Sequence, residues 1–114
     1  MRDIEQIIHA LGIHGTYHGY RYLVYAIRLA LENEDYLLLI SKWLYPDVAA
    51  KFHTSTSSVE RNIRTVINYC WDHGNRRLLQ ELASYPLEHK PSTGEFLDIL
   101  VTYFKSEGKE SRRP

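Results

Sequence analysis

The sequence predicts an all-α protein, a compact bundle of about six helices that contains a helix-turn-helix at about residues 46–74. Three observations carry that prediction. Apolar residues recur at helical spacing in segment after segment. No alternating strand pattern and no internal repeat interrupts them. Residues 47–74 divide into a short helix, a hydroxyl-rich turn and a longer helix. One domain is expected over residues 1–108, with a disordered tail at 109–114.

In chain order, Ile4, Ile7, Ile8 and Leu11 share one face of a short helix closed by Gly12. Gly15 and Gly19 bracket a loop, after which Tyr22, Leu23, Ala26, Ile27, Ala30 and Leu31 define a longer helix. Asn33, Glu34 and Asp35 interrupt, and the apolar run 37–44 reads as a largely buried third helix. Pro46 and Asp47 suit the first turn of the next helix, where a missing N–H costs nothing and a carboxylate meets the positive dipole end. Val48, Ala49 and Phe52 are its buried edge. The run Thr54-Ser55-Thr56-Ser57-Ser58 offers N-caps for the longer motif helix. That helix buries Val59, Ile63, Val66, Ile67 and Cys70, spaced i, i+4, i+7, i+8 and i+11, and stops at Gly74. Leu78, Leu79 and Leu82 mark a short helix ending near Pro86. Ser92-Thr93-Gly94-Glu95 resembles a capping box for a last helix with Phe96, Leu97, Leu100, Val101 and Phe104 on one face, ended by Gly108.

Composition narrows the class. With 114 residues, 44% hydrophobic and 25% charged, the chain suits one soluble domain with a modest core. No apolar run approaches the roughly 20 residues that span a bilayer. Arg2, Asp3 and Glu5 rule out a signal-peptide core at the N-terminus. A lone cysteine on the core stripe fits a reducing cytoplasm. Formal net charge is zero, which argues against binding nucleic acid through bulk charge. Its distribution matters more. Residues 1–35 hold three basic and five acidic side chains, a net of −2, whereas residues 47–77 hold five basic and three acidic, a net of +2.

The exposed face of the longer motif helix carries Ser57, Glu60, Arg61, Arg64 and Asn68. Arginine reads guanine through two hydrogen bonds, and a carboxylate accepts from cytosine N4. A lone Glu between basic residues is a poor phosphate ligand, so its place points to selectivity. Glu60, Arg61 and Arg64 are therefore the candidate base contacts. Thr54, Thr56, Ser57, Ser58 and Thr65 are the candidate backbone contacts, together with helix N-terminal N–H groups. An ordinary helical hairpin with a solvated charged face has the same pattern, and periodicity alone leaves both readings open.

Several stretches together resemble one family. Leu44-Tyr45-Pro46-Asp47-Val48-Ala49, Lys51-Phe52 and Ser58-Val59-Glu60-Arg61 with Ile63-Arg64 look like the effector domain of the sporulation master response regulator, stage 0 sporulation protein A. The likeness extends to Ile7-Ile8-His9-Ala10-Leu11-Gly12-Ile13 and Gly19-Tyr20-Arg21-Tyr22-Leu23. It continues through Trp71-Asp72-His73-Gly74-Asn75 to Lys90-Pro91-Ser92-Thr93-Gly94-Glu95-Phe96. It covers about residues 4–105 in order. The resemblance implies double-stranded promoter DNA as partner, with the second motif helix in the major groove. It also implies paired effector domains on tandem elements. The helix with Arg76, Arg77 and Gln80 lies where the family is thought to meet RNA polymerase, through its sigma subunit. Two departures stand out. Family members often carry a basic residue where Ser58 stands, so affinity is expected to be lower. Members usually have an N-terminal receiver domain that accepts phosphate, and nothing in these residues can be one, so an excised effector domain or a free-standing relative is expected.

Other chemistries find little support. His14 and His18 have a spacing that suits zinc on a helix, but glycines flank them and no third ligand is evident. Cys70 with His73 could form a thiol nucleophile, but Cys70 shares the stripe with Val66 and Ile67. There is no Gly-rich phosphate loop and no carboxylate pair with a partner, so neither an enzyme nor a cofactor is expected. A protein-interaction module that keeps the fold without DNA affinity is the competing reading. Neutral net charge favours it, while the Glu-Arg-x-x-Arg array favours DNA.

Overall fold

Asp3 opens the first helix, α1 (Ile4–Ala10), with a reciprocal cap. Its carboxylate accepts from the Gln6 N–H, and the Gln6 side chain accepts from the Asp3 N–H. The computed structural model describes residues 3–111. Among them, five further α-helices follow: α2 (His18–Glu32), α3 (Tyr45–Lys51), α4 (Thr56–His73), α5 (Arg76–Ala83) and α6 (Thr93–Ser111). No strand occurs among the described residues, so the chain is all-α. Ile7, Ile8, Leu23, Ile27, Val48, Ile63, Leu79, Phe96 and Leu100 belong to one continuous core to which all six helices contribute.

α4 runs through the middle of the bundle and packs on α2 and α3, with α5 and α6 closing the remaining side. Its predicted stripe is entirely buried: Val59, Ile63, Val66, Ile67 and Cys70. The α2·α4 crossing is tight because Gly19 sits in it. A Cβ there would stand 2.3 Å from the Asn62 carbonyl oxygen and 2.8 Å from Val66 Cγ1. Gly19 therefore lies inside α2 rather than before it, and the helix starts at His18, ahead of the predicted boundary. At the far end of α4 the chain closes on α1. The Asn75 N–H donates to the Leu11 carbonyl at 3.0 Å. Gly12, with φ +93°, and Gly74 approach so closely that a Cβ on the first would be 2.9 Å from Cα of the second.

The predicted buried third helix over 37–44 is replaced by two irregular turns. A 3₁₀ turn (Glu34–Leu37) is capped by Asn33, whose side-chain oxygen accepts from the Asp35 N–H. A π-helical turn (Ile40–Leu44) then leads without a break into α3. Its wide bonds have a cause in the sequence. A proline ring in a continuous helix collides with the carbonyl four residues back, and Pro46 forces that ladder open. The segment is also mostly exposed: Leu44 is buried, but Leu38 is 79% and Trp43 48% accessible. An unbroken apolar run has no period from which to read which residues turn inward.

The last helix also differs from prediction. α6 passes through Gly108 and is assigned to Ser111. Glycine stops a helix when it takes the left-handed cap position and otherwise only weakens it by about 1 kcal/mol. Residues 112–114 of the predicted tail lie outside the described residues. At the start of α6, Ser92 Oγ accepts from the Glu95 N–H as expected, but the Glu95 carboxylate accepts from the Tyr85 hydroxyl at 2.9 Å instead of returning to the cap.

Candidate nucleic-acid interface

Two contacts hold the ends of α3. Tyr36 Oη donates to Asp47 Oδ2 at 2.5 Å, tying the first turn of α3 to the 3₁₀ turn. After Lys51 the chain reverses through Phe52 and His53, and the Thr54 N–H donates back to the Ala49 carbonyl at 3.0 Å. His53 has φ +54°, a left-handed conformation that few non-glycine residues adopt. Nothing in the sequence marks that turn with a glycine. Ser55 caps α4 by accepting from the Ser58 N–H at 3.1 Å, so one of the five candidate hydroxyl residues becomes the N-cap.

The predicted base-contacting residues lie together. Glu60, Arg61 and Arg64 are all exposed on one face of α4, with Ser57 a turn earlier. Arg64 Nη1 donates to Glu60 Oε1 at 3.3 Å, an i,i+4 ion pair with both side chains more than half exposed. That spacing is visible in the sequence, although the pairing was not among its predictions. Tyr45 lies beneath, 4% exposed. Burial raises its phenol pKa, a Thr93 hydrogen bond lowers it, and the charges of Glu60 and Arg64 act on it in opposite directions.

The predicted backbone-contacting residues are less uniform. Thr56 and Ser57 are exposed on the first turn of α4, and Thr54 is half-buried in the turn before it. Ser58 is half-buried: its carbonyl and hydroxyl oxygens accept from Asn62 Nδ2 at 2.7 and 3.2 Å. Thr65 is exposed, but its hydroxyl donates to the Arg61 carbonyl at 2.9 Å and must rotate away to donate elsewhere. Asn68, half-exposed on the same face as Arg61 and Arg64, completes the row.

A comparison with protein families matches residues 4–104 to the family described as the sporulation initiation factor Spo0A C terminal. The chain belongs to that family. The Spo0A C-terminal family is one of DNA-binding sporulation regulators, not of enzymes. Double-stranded DNA is the partner class of this Spo0A-type domain.

Elsewhere in the Spo0A-type domain, Cys70, Arg76 and Gln80 have internal roles. Burial pushes the Cys70 thiol up to about 11, with Arg76 acting weakly the other way, so the group is protonated at neutral pH. His73 is exposed, and its ring lies tilted against Tyr69 at 5.3 Å between centroids. No group of three His, Cys, Asp or Glu among the described residues is placed to hold a metal ion. Among the described residues, no helix is long and apolar enough to cross a membrane. On α5, Arg76 lies 3.9 Å from the Trp71 ring and donates from Nε and Nη2 to the Trp71 carbonyl at 3.0 and 2.7 Å. Gln80 bridges the Tyr85 carbonyl and the Leu87 N–H. Arg77 alone of the three points freely outward, with a loose contact to Glu81 at 3.9 Å.

Proposed function

We propose that this chain is a sequence-specific transcription regulator that lays α4 in the major groove of promoter DNA. The observation that carries the reading is the division of α4 into a fully buried stripe and an opposite face bearing Ser57, Glu60, Arg61 and Arg64, entered through a tight turn. A major groove about 12 Å wide admits one α-helix, and side chains on its outer face then meet base edges. Arg61 and Arg64 suit guanine, and Glu60 suits a cytosine amino group. Thr54, Thr56, Ser57, Ser58 and Thr65 flank that face, and the N–H groups at the start of α4 add donors for phosphate.

Such a protein works where DNA is, in the cytoplasm. Pairing on tandem elements is supported by the family likeness alone. A contact with the polymerase sigma subunit would rest on Arg77, since Arg76 and Gln80 are held internally.

Selection of binding sites from a random DNA pool tests the reading directly. A single enriched motif is expected. Arg61→Ala or Arg64→Ala should cost about 1–3 kcal/mol on that motif and relax preference at one base pair. Equal losses on selected and random DNA would make both residues phosphate contacts. No enrichment at all would favour a protein-interaction module on the same fold.

A further inference from the structure

The outward side of α2 carries a groove that DNA recognition does not use. Its volume is about 200 Å³, and Arg21, Val24, Tyr25 and Arg28 of α2 line it with Phe52 from the motif turn and Glu5 from α1. Arg21, Tyr25 and Arg28 recur at i, i+4 and i+7 and so form one stripe. With about 100° between successive residues, that stripe lies opposite Gly19, Leu23, Ala26 and Ala30. Those four are buried, and Gly19 is pressed against Asn62 and Val66 of α4. The groove therefore opens away from α4 and from any DNA that α4 engages.

Its floor is aromatic and apolar. The Tyr25 ring meets Phe52 edge-on at 5.8 Å between centroids, and Lys51 Nζ stands 5.7 Å from the Tyr25 centroid. Its rim is cationic. Arg21 and Arg28 are exposed, and neither has an ion-pair partner among the described residues. Arg21, Arg28 and Lys51 are the cations at this groove and Glu5 is the anion that lines it, with exposed Glu32 one turn beyond Arg28 on the same stripe. Unpaired guanidinium groups around an apolar floor suit carboxylates that flank an apolar anchor.

We infer that this groove docks an acidic amphipathic helix of a partner protein, and does so while α4 holds DNA. Arg21 and Arg28 lie about 10 Å apart along the α2 axis at 1.5 Å per residue. A partner helix lying along α2 presents two carboxylates at that separation when they are seven residues apart. Leucine or phenylalanine at i+3 or i+4 between them then falls on Val24, Tyr25 and Phe52.

The test is fluorescence anisotropy with a labelled synthetic helix that carries two glutamates seven residues apart and leucines midway between them. Saturable binding is expected, with or without bound DNA. The double variant Arg21→Glu/Arg28→Glu should weaken it by about tenfold or more, as should replacing the peptide leucines with serine. Lys42→Glu, a single charge reversal at an exposed site elsewhere, should leave it unchanged, and the double variant should keep its DNA affinity and its thermal melting curve. Absence of saturable binding overturns the inference. Equal binding of the serine peptide also overturns it, because bare charge attraction would then explain the contact. Loss of DNA affinity in the double variant would do so too, because the groove would then lie against nucleic acid.

Discussion

Gly19→Ala probes the closeness of the α2·α4 crossing. An ordinary carbon–oxygen contact is about 3.3 Å or longer. The added methyl group would start 2.3 Å from the Asn62 oxygen and 2.9 Å from its carbonyl carbon. These are backbone atoms that cannot rotate aside, so the two helices must separate by about 1 Å, given the contact distance above. Overpacking of this kind costs about 1–3 kcal/mol, and a backbone obstacle places Gly19 near the upper figure. Alanine in place of glycine inside a helix recovers about 1 kcal/mol. The net expectation is a loss of about 2 kcal/mol in urea-induced unfolding, with the slope against denaturant unchanged. Gly15→Ala is the control, since the nearest atoms there are 3.8 Å away. A Gly19→Ala protein as stable as the parent would show that the helices do not meet as described. DNA affinity should fall with stability, because α4 is carried on that contact.

Ile63→Ala, at a fully buried position on the same helix, should cost roughly 2–5 kcal/mol in the same assay, and a loss below about 1 kcal/mol would mean that the α4 register is wrong. Cys70 should resist a thiol-specific reagent at pH 8 in the folded protein and react on unfolding, and rapid labelling of native protein would contradict its burial. Because folding raises that thiol from 9.0 to about 11, the folded state holds the proton more tightly. Its stability contribution is then present in full below about pH 9 and lost as pH rises through 11, which a comparison with Cys70→Ala across that range would show. On DNA with two selected elements, binding should be cooperative and steeply salt-dependent, and a half-turn insertion should abolish the cooperativity. Equal affinity per element on every spacing would rule out the pairing.

The helix proposed to meet DNA was also the most legible. Val59 to Cys70 keep the 3.6-residue period without a fault, and capping hydroxyls and Gly74 bound them, so face and limits follow from spacing alone. Where the period fails, legibility fails with it. Leu37, Leu38 and Leu39 are chemically alike, and only the three-dimensional path around Pro46 decides that Leu38 points outward while Leu44 points inward. Gly19 misleads for a different reason. Glycine near a helix start reads as a loop signal, yet its role here is a contact with Asn62, which lies far along the chain. The groove beside α2 was hidden by averaging: residues 1–35 carry a net −2, while Arg21 and Arg28 stand together on one stripe. At the candidate interface the sequence located the charged face but not the states of its groups, since Thr65 and Ser58 hydrogen-bond within α4.

The Glu60–Arg64 pair offers a way to separate affinity from selectivity. Both side chains are more than half exposed, so the pair adds at most about 0.5 kcal/mol to helix stability, and Glu60→Gln should leave the fold intact. With α4 in the major groove, as proposed above, the same carboxylate would have a larger effect on DNA. Against a random sequence it faces phosphates and acceptor-rich base edges with no donor of its own, so it opposes binding, and Arg64 must share its charge with it. Against a cytosine at the right position it accepts from the amino group, and the opposition is removed. Selectivity then comes partly from penalising wrong sites. Glu60→Gln should therefore raise affinity for random DNA, leave the selected site unchanged or weaker, and shrink discrimination between them by about 1–3 kcal/mol. Titrations of the parent protein and of Glu60→Gln on selected and random duplexes at several salt concentrations measure this. If affinity for the two DNAs rises by the same factor, Glu60 is a general electrostatic brake and reads no base.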